Sequence, residues 1–213
     1  MSRAEVVRWV LKPVIWAVGL GIPAWLLWGA FNDGLGSDPV ETIQRWTGKG
    51  ALVGLFLTLA VSPFRRSTGW NDLIRLRRLL GLFSYFLATL HFLSYIVFDQ
   101  ALSLSEIKKD VIEHPWVFAG LSAWLLLTPL AVTSTKGWIR RLGGRRWQRL
   151  HKLIYVAAGA GVLHFLWLVK KDVGTPVLFG LVLVALLVAR LPRWDGTRAR
   201  PARDPLDSIG APR

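Results

Sequence analysis

Cysteine is absent from this chain, and Met1 is its only methionine. Iron–sulfur clusters, disulfides and zinc–thiolate sites are therefore excluded. So is a haem held through a Cys thiolate, an internal Met or a Cys-containing attachment motif. Acidic residues are also scarce, 13 against 27 Lys and Arg, and no charged residue lies at the centre of an apolar run. This counts against ion-coupled transport, which uses charged or broken-helix sites at the midplane. Imidazole is what remains to hold a metal in the interior. Of the four histidines, His91 and His164 sit in strongly apolar segments without other charged residues. Ionisable residues inside a membrane are costly and mark functional sites by default. The inventory points to a membrane cytochrome.

Hydrophobic residues make up 53% of the 213, and the mean hydropathy is +0.40. A bilayer crossing takes about 20 helical residues. Six apolar runs are available, at 13–31, 50–64, 79–98, 115–135, 153–169 and 173–189. The second is short, and Lys49 is placed to extend it by snorkelling. Pro129 predicts a kink in the fourth. The first run is long for a signal peptide and is followed by Phe31-Asn32-Asp33 instead of a small-residue cleavage site. It reads as a retained first span. The expectation is an all-α membrane protein, a six-transmembrane-helix bundle over residues 1–190. Residues 191–213 form a basic, Pro-rich tail, expected to be disordered and to rest on anionic membrane lipid.

The basic residues sort by side. The N-terminal segment, the connections after spans two and four, and the tail together carry 21 of the 27 Lys and Arg. The other three connections hold the remaining 6 beside eight acids. The positive-inside rule then puts both termini in the cytoplasm. Topology thus accounts for the net charge of +14, and nucleic acid is not an expected partner. Trp residues such as Trp9, Trp46, Trp116 and Trp167 fall near span ends, as an interfacial aromatic belt would place them.

Depth singles out two histidines. His91 and His164 both lie near the outer ends of outward-running spans, roughly 10 and 8 Å from the edge at 1.5 Å rise per residue. Two imidazoles at one depth on different helices can bracket one haem iron. His151 lies about 20 Å below His164 and is rotated by about 220° on a regular helix, so the two do not share a face. It reads either as a solvated interfacial residue or as an inner cofactor ligand. His114 reads as a solvated or capping residue at the outer surface. Arg77 and Arg78 read as positive-inside charges or as partners of haem propionates or a flavin phosphate. Ala157-Ala158-Gly159-Ala160-Gly161 allows close helix packing, or room for a flat macrocycle.

Several segments, in order and spacing, carry a family resemblance. They are Arg77-Arg78-Leu79-Leu80-Gly81 leading to His91, Leu130 to Ser134, Arg140-Arg141-Leu142-Gly143, and Arg146-Trp147-Gln148-Arg149-Leu150-His151 with Tyr155 and His164. The chain resembles the haem-binding membrane subunits of the periplasmic MsrPQ methionine sulfoxide reductase system. These are similar in plan to ferric reductase-like transmembrane domains. That plan uses two histidine pairs, whereas span three here offers only His91, so one haem b is the expectation.

The resemblance implies haem b and FMN as cofactors, with His91, His164 and His151 as haem-ligand candidates. Arg77, Arg78 and Arg146 are candidates for propionate or phosphate contacts. It implies an electron-transfer subunit in the bacterial inner membrane, taking electrons from the quinone pool or a cytoplasmic flavin reductase. The acceptor is a periplasmic molybdenum-cofactor reductase subunit, MsrP-like, that repairs oxidised periplasmic proteins. Glu106, Asp110 and Glu113 of the outer acidic loop are the expected docking residues. The rival readings are a stand-alone ferric or quinone reductase and, in a different class, a haem-free scaffold or transporter.

Overall fold

Helix-start signals extend the elements beyond the apolar runs. Asp38 accepts the Glu41 N–H at 2.8 Å, and Pro39 follows at the first helical position. The pair is a strong helix start, so the second helix begins at Pro39, well before the apolar run at Gly50. Ser2 and Glu5 form a reciprocal capping box at the N-terminus.

The computed structural model describes residues 1–191. Its helices are α1 (Arg3–Phe31), α2 (Pro39–Thr68), α3 (Asn71–Asp99), α4 (Leu104–Glu113), α5 (Pro115–Val132), α6 (Lys136–Leu142), α7 (Gly144–Leu150), α8 (Leu153–Leu168) and α9 (Gly174–Val188). Five stretches are long and apolar enough to cross a membrane: α1, α2, α3, α5 and Gly144–Leu168, which joins α7 to α8. The shorter apolar α9 is the sixth. No strand occurs among the described residues. Apart from Leu191, the tail at 191–213 lies outside them.

Prolines shape the helices by what they leave unbonded. Pro129 falls in the last turn of α5, where Thr133 Oγ1 donates to the Pro129 carbonyl and Ser134 Oγ to that of Leu130, both at 2.6 Å. Pro63 has no N–H to give the Leu59 carbonyl one turn earlier in α2. Arg190, just past α9, supplies the donor instead: its Nε reaches Leu59 O at 3.1 Å, and its Nη2 bonds the same oxygen. Its Nη1 donates to the Tyr155 hydroxyl at 2.7 Å. One side chain thereby ties α9 to α2 and α8.

The bundle is built from two tight helix pairs, α2 along α3 and α5 along α8. Leu52, Leu55, Phe56 and Leu59 of α2 meet Leu127 and Leu130 of α5, Ala157 and Ala158 of α8, and Leu183 of α9. α1 flanks the first pair, where Gly19 lets the Phe83 ring come close and Trp16 meets the same ring edge-on at 4.9 Å. In lipid, helices associate through close fit and interhelical hydrogen bonds, each worth about 0.6–2 kcal/mol. Ser84 Oγ to Ala51 O at 2.7 Å and Trp124 Nε1 to Thr89 Oγ1 at 3.1 Å are two such bonds. The outward faces stay apolar: Trp28 is 71% exposed and Leu181 63%. Surfaces of that kind belong against hydrocarbon.

Candidate functional site

Each helix pair contributes one histidine to the space between the pairs. His91 projects from α3 and His164 from α8. Their ring centroids are 6.0 Å apart and their planes 73° from parallel.

The two are held in the same way. The Nδ1–H of His91 donates to the Gln44 carbonyl on α2 at 3.0 Å. The Nδ1–H of His164 donates to the Trp116 carbonyl on α5 at 2.7 Å. A carbonyl can only accept, so each Nδ1 carries the proton and each Nε2 keeps its lone pair. No protein hydrogen bond reaches either Nε2 among the described residues. In both cases a glycine sits four residues after the carbonyl. A Cβ at Gly48 would lie 3.1 Å from the His91 ring, and one at Gly120 would lie 2.8 Å from His164 Nδ1. The missing side chains let each imidazole lie flat on its neighbouring helix and reach the carbonyl.

The spacing fits two imidazoles on opposite sides of one metal ion. A metal–imidazole bond is about 2.0 Å, and the ring centroid lies about 1.1 Å behind its nitrogen. Trans ligands therefore have centroids about 6.2 Å apart. Two donors do not make a complete site for a bare ion, and no group of three or more His, Asp or Glu suited to a metal occurs among the described residues. A haem iron brings four ring nitrogens of its own and needs only axial ligands. The histidines line a cavity of about 680 Å³, within the usual range for cofactor sites. Its walls include Leu52, Leu55, Leu127, Ala157 and Gly161. The small-residue stretch of α8 thus serves twice: Ala157 and Ala158 are fully buried in the helix seam, while Ala157 and Gly161 border the cavity.

The acidic end of the bundle borders this cavity. Glu41, Asp99, Asp110 and Asp172 line it there. Asp110 fastens α4 in place: it accepts from the Tyr95 hydroxyl, from Gln100 Nε2 at 3.0 Å and from His114 Nδ1 at 2.6 Å. Its role in the structure is that of a clasp, whereas Glu106 and Glu113 on the same helix stand free in the exposed surface. His114 is paired with Asp110 and packs on the Trp116 ring at 4.5 Å.

His151 is elsewhere. It follows α7, where its ring stacks on Trp147 with centroids 3.8 Å apart and its Nδ1 donates to the Trp147 carbonyl at 3.1 Å. Its Nε2 is buried without a protein partner. The structure does not bring it to His91 and His164. Arg77 and Arg78 open the α-helical part of α3 and Arg146 lies in α7, at the basic end, and none of the three lines the cavity. Arg77 is within electrostatic reach of His151, Arg65 and Arg190.

Sequence reasoning missed Gln44, Gly48, Trp116 and Gly120. The only trace they leave in sequence is a glycine four residues after the carbonyl acceptor on each of two helices, a spacing too common to stand out.

A family described as ferric reductase like transmembrane component matches residues 47–162, a stretch that holds His91 and His151 and stops just short of His164. Relatives named protein-methionine-sulfoxide reductase heme-binding subunit MsrQ are similar over most of the chain. The protein from Herminiimonas arsenicoxydans is 48% identical over 162 residues, 75% of this chain and 74% of the relative. That from Xanthomonas axonopodis pv. citri is 45% identical over 181 residues, covering 85% and 82%. That from Xanthomonas campestris pv. campestris strain B100 is 43% identical over 194 residues, covering 91% and 88%. The apolar spans, the facing imidazoles and this similarity agree: the chain is a multi-pass membrane protein that belongs to the MsrQ family of ferric reductase-like transmembrane components.

Proposed function

We propose that this protein is a b-type cytochrome of the bacterial inner membrane, with both termini cytoplasmic, that passes electrons outward to a periplasmic methionine sulfoxide reductase subunit of the molybdenum-cofactor type, MsrP-like. The electrons come from the quinone pool or from a cytoplasmic flavin reductase. The relay supports repair of oxidised periplasmic proteins. The observation that carries this reading is the His91–His164 pair, with rings 6.0 Å apart and both Nε2 atoms free across a cavity of about 680 Å³.

Haem b bound there supplies a one-electron carrier. The protein's part is positional. The Gln44 and Trp116 carbonyls fix the tautomer and tilt of the two rings and raise their basicity as ligands. Gly48 and Gly120 set the depth to which each ring seats. The leucines and Ala157 keep the site dry, so that little solvent reorganises when charge changes.

His151 serves the inner, cytoplasmic side, as ligand to a second group or as support for the flavin. Its buried and unpartnered Nε2 supports that role. FMN is the second cofactor of the proposal. Arg77, Arg78 and Arg146 would meet its phosphate, or a propionate, by charge-assisted hydrogen bonds. Glu106 and Glu113 face outward with Asp110 behind them and would steer a basic partner to the acidic end.

The test is a two-sided one in proteoliposomes. Quinol, or a flavin reductase with its nicotinamide donor, is added on one side, and the periplasmic reductase with methionine sulfoxide on the other. Sulfoxide reduction that requires this chain and slows in Glu106→Ala/Glu113→Ala at low salt supports the proposal. Reduction of soluble ferric chelates with no transfer to the reductase would replace it with a stand-alone ferric reductase.

A further inference from the structure

The cavity around the histidines has an uneven charge balance, and Lys49 is where it is uneven. Four carboxylates line the cavity, and each has a protein partner. Glu41 pairs with Arg45. Asp99 accepts Gln44 Nε2 at 2.5 Å. Asp110 is clasped by Tyr95, Gln100 and His114. Asp172 caps the Gly174 N–H at 3.3 Å. The lining cations are Arg45 and Lys49. Arg45 is taken up by Glu41, and both side chains are more than half exposed, at 59% and 58%. Lys49 has no carboxylate within 4.0 Å among the described residues.

The position of the Lys49 ammonium is also telling. Its place beside the short second span predicts snorkelling, and Lys49 is exposed in the structure. The side chain reaches from α2 toward α8, where its Nζ lies 5.9 Å from the Phe165 ring centroid. That distance is near the outer limit of a cation–π contact, which at an exposed site contributes about 0.5–1 kcal/mol. Lys49 follows Gly48, which touches the His91 ring, and Phe165 follows His164. The ammonium therefore stands between α2, whose Gln44 carbonyl holds the His91 ring, and α8, which carries His164, and Lys49 lines the cavity.

A haem carries two carboxylates on one edge. Placed in a cavity whose mouth holds four further carboxylates, that edge needs a cation. We propose that the Lys49 ammonium pairs with a haem propionate, which orients the propionate edge toward the α2–α8 side of the acidic end. This rests on the haem reading above. The pairing would give the protein a hold on the haem edge in addition to the His91 and His164 imidazoles. It would also keep a positive charge at the cavity wall, which favours the reduced state.

The experiment compares Lys49→Gln, Lys49→Arg and Lys108→Gln with wild type, each purified full-length with haem. Three quantities are read: the low-spin signature by electron paramagnetic resonance, the rate of haem loss to an apo-haemoprotein scavenger, and the midpoint potential. In Lys49→Gln the low-spin signature is expected to persist, haem loss to accelerate about tenfold, as loss of one charge-assisted bond implies, and the potential to fall. Lys49→Arg restores both towards wild type, and Lys108→Gln, an exposed α4 position outside the cavity lining, changes neither. Unchanged haem loss and potential in Lys49→Gln, with wild type low-spin, would overturn the pairing and leave the haem reading intact. A wild type that binds no low-spin haem would overturn both.

Discussion

Gly120 is the most sensitive position in the site, and Gly120→Ala tests the geometry with a single methyl group. The added Cβ would lie 2.8 Å from His164 Nδ1, 3.0 Å from Cε1 and 3.2 Å from Cγ. Ordinary contacts need about 3.5–4.0 Å, so the imidazole must retreat by roughly 0.5–1 Å. Its 2.7 Å bond to the Trp116 carbonyl would stretch beyond normal range. Overpacking of this kind costs about 1–3 kcal/mol. At about 1.4 kcal/mol per factor of ten, haem affinity should fall by roughly 5- to 150-fold. The helix itself gains, because Ala is favoured over Gly in a helix interior by about 1 kcal/mol. The variant should therefore keep its thermal stability without haem while losing haem content and low-spin character. Gly48→Ala, with its nearest contacts at 3.1 Å, should show the same defect more weakly. Gly159→Ala, where no atom lies within 4 Å, should behave as wild type. Purification with equal haem supply, followed by pyridine haemochrome stoichiometry and electron paramagnetic resonance, measures all three. Wild-type haem content and spin state in Gly120→Ala would refute the reasoning.

Two other perturbations follow from single side chains. Arg190→Ala should lower stability in detergent by about 1.5–3 kcal/mol, because it leaves the Leu59 carbonyl without a donor. In a Pro63→Ala background, where residue 63 regains its N–H, the same change should cost less than about 1 kcal/mol. Thermal denaturation of the four proteins gives the coupling, and equal costs in both backgrounds would contradict the account. Asp110→Ala should release α4 and so raise amide exchange across 104–113, while the His91–His164 pair keeps its optical signature. Protection unchanged in that segment would show that the clasp is not what holds it.

The spans and their number were legible because a bilayer imposes length and composition directly on the sequence. The start of α2 was misplaced for a specific reason. Gln44, Arg45 and Lys49 interrupt the apolar run, and hydropathy ignores the Asp38–Pro39 start signal that fixes the end at Pro39. The joint position of His91 and His164 could be read from depth, since rise per residue converts sequence position to height. Rotation likewise set His151 apart from His164, and the structure places it on Trp147, away from the cavity. The Gln44 and Trp116 carbonyls were not legible, because a backbone acceptor carries no sequence signature and is chosen only when helices pack. The bonds that Asp110 makes were not legible for the same reason: its three donors come from α3, the turn after it and the end of α4. The place of Lys49 beside a short apolar run was legible, whereas the cavity it lines was not, because that cavity forms only when the helix pairs pack.

The most direct test of the central claim is the oxidised and dithionite-reduced optical spectrum of the purified protein, beside those of His91→Ala, His164→Ala and His151→Ala. The account predicts a b-type, low-spin spectrum in wild type, its loss or conversion to high-spin in both His91→Ala and His164→Ala, and retention of the outer-pair signature in His151→Ala. Full low-spin haem in either His91→Ala or His164→Ala would contradict the claim that these two imidazoles share one iron.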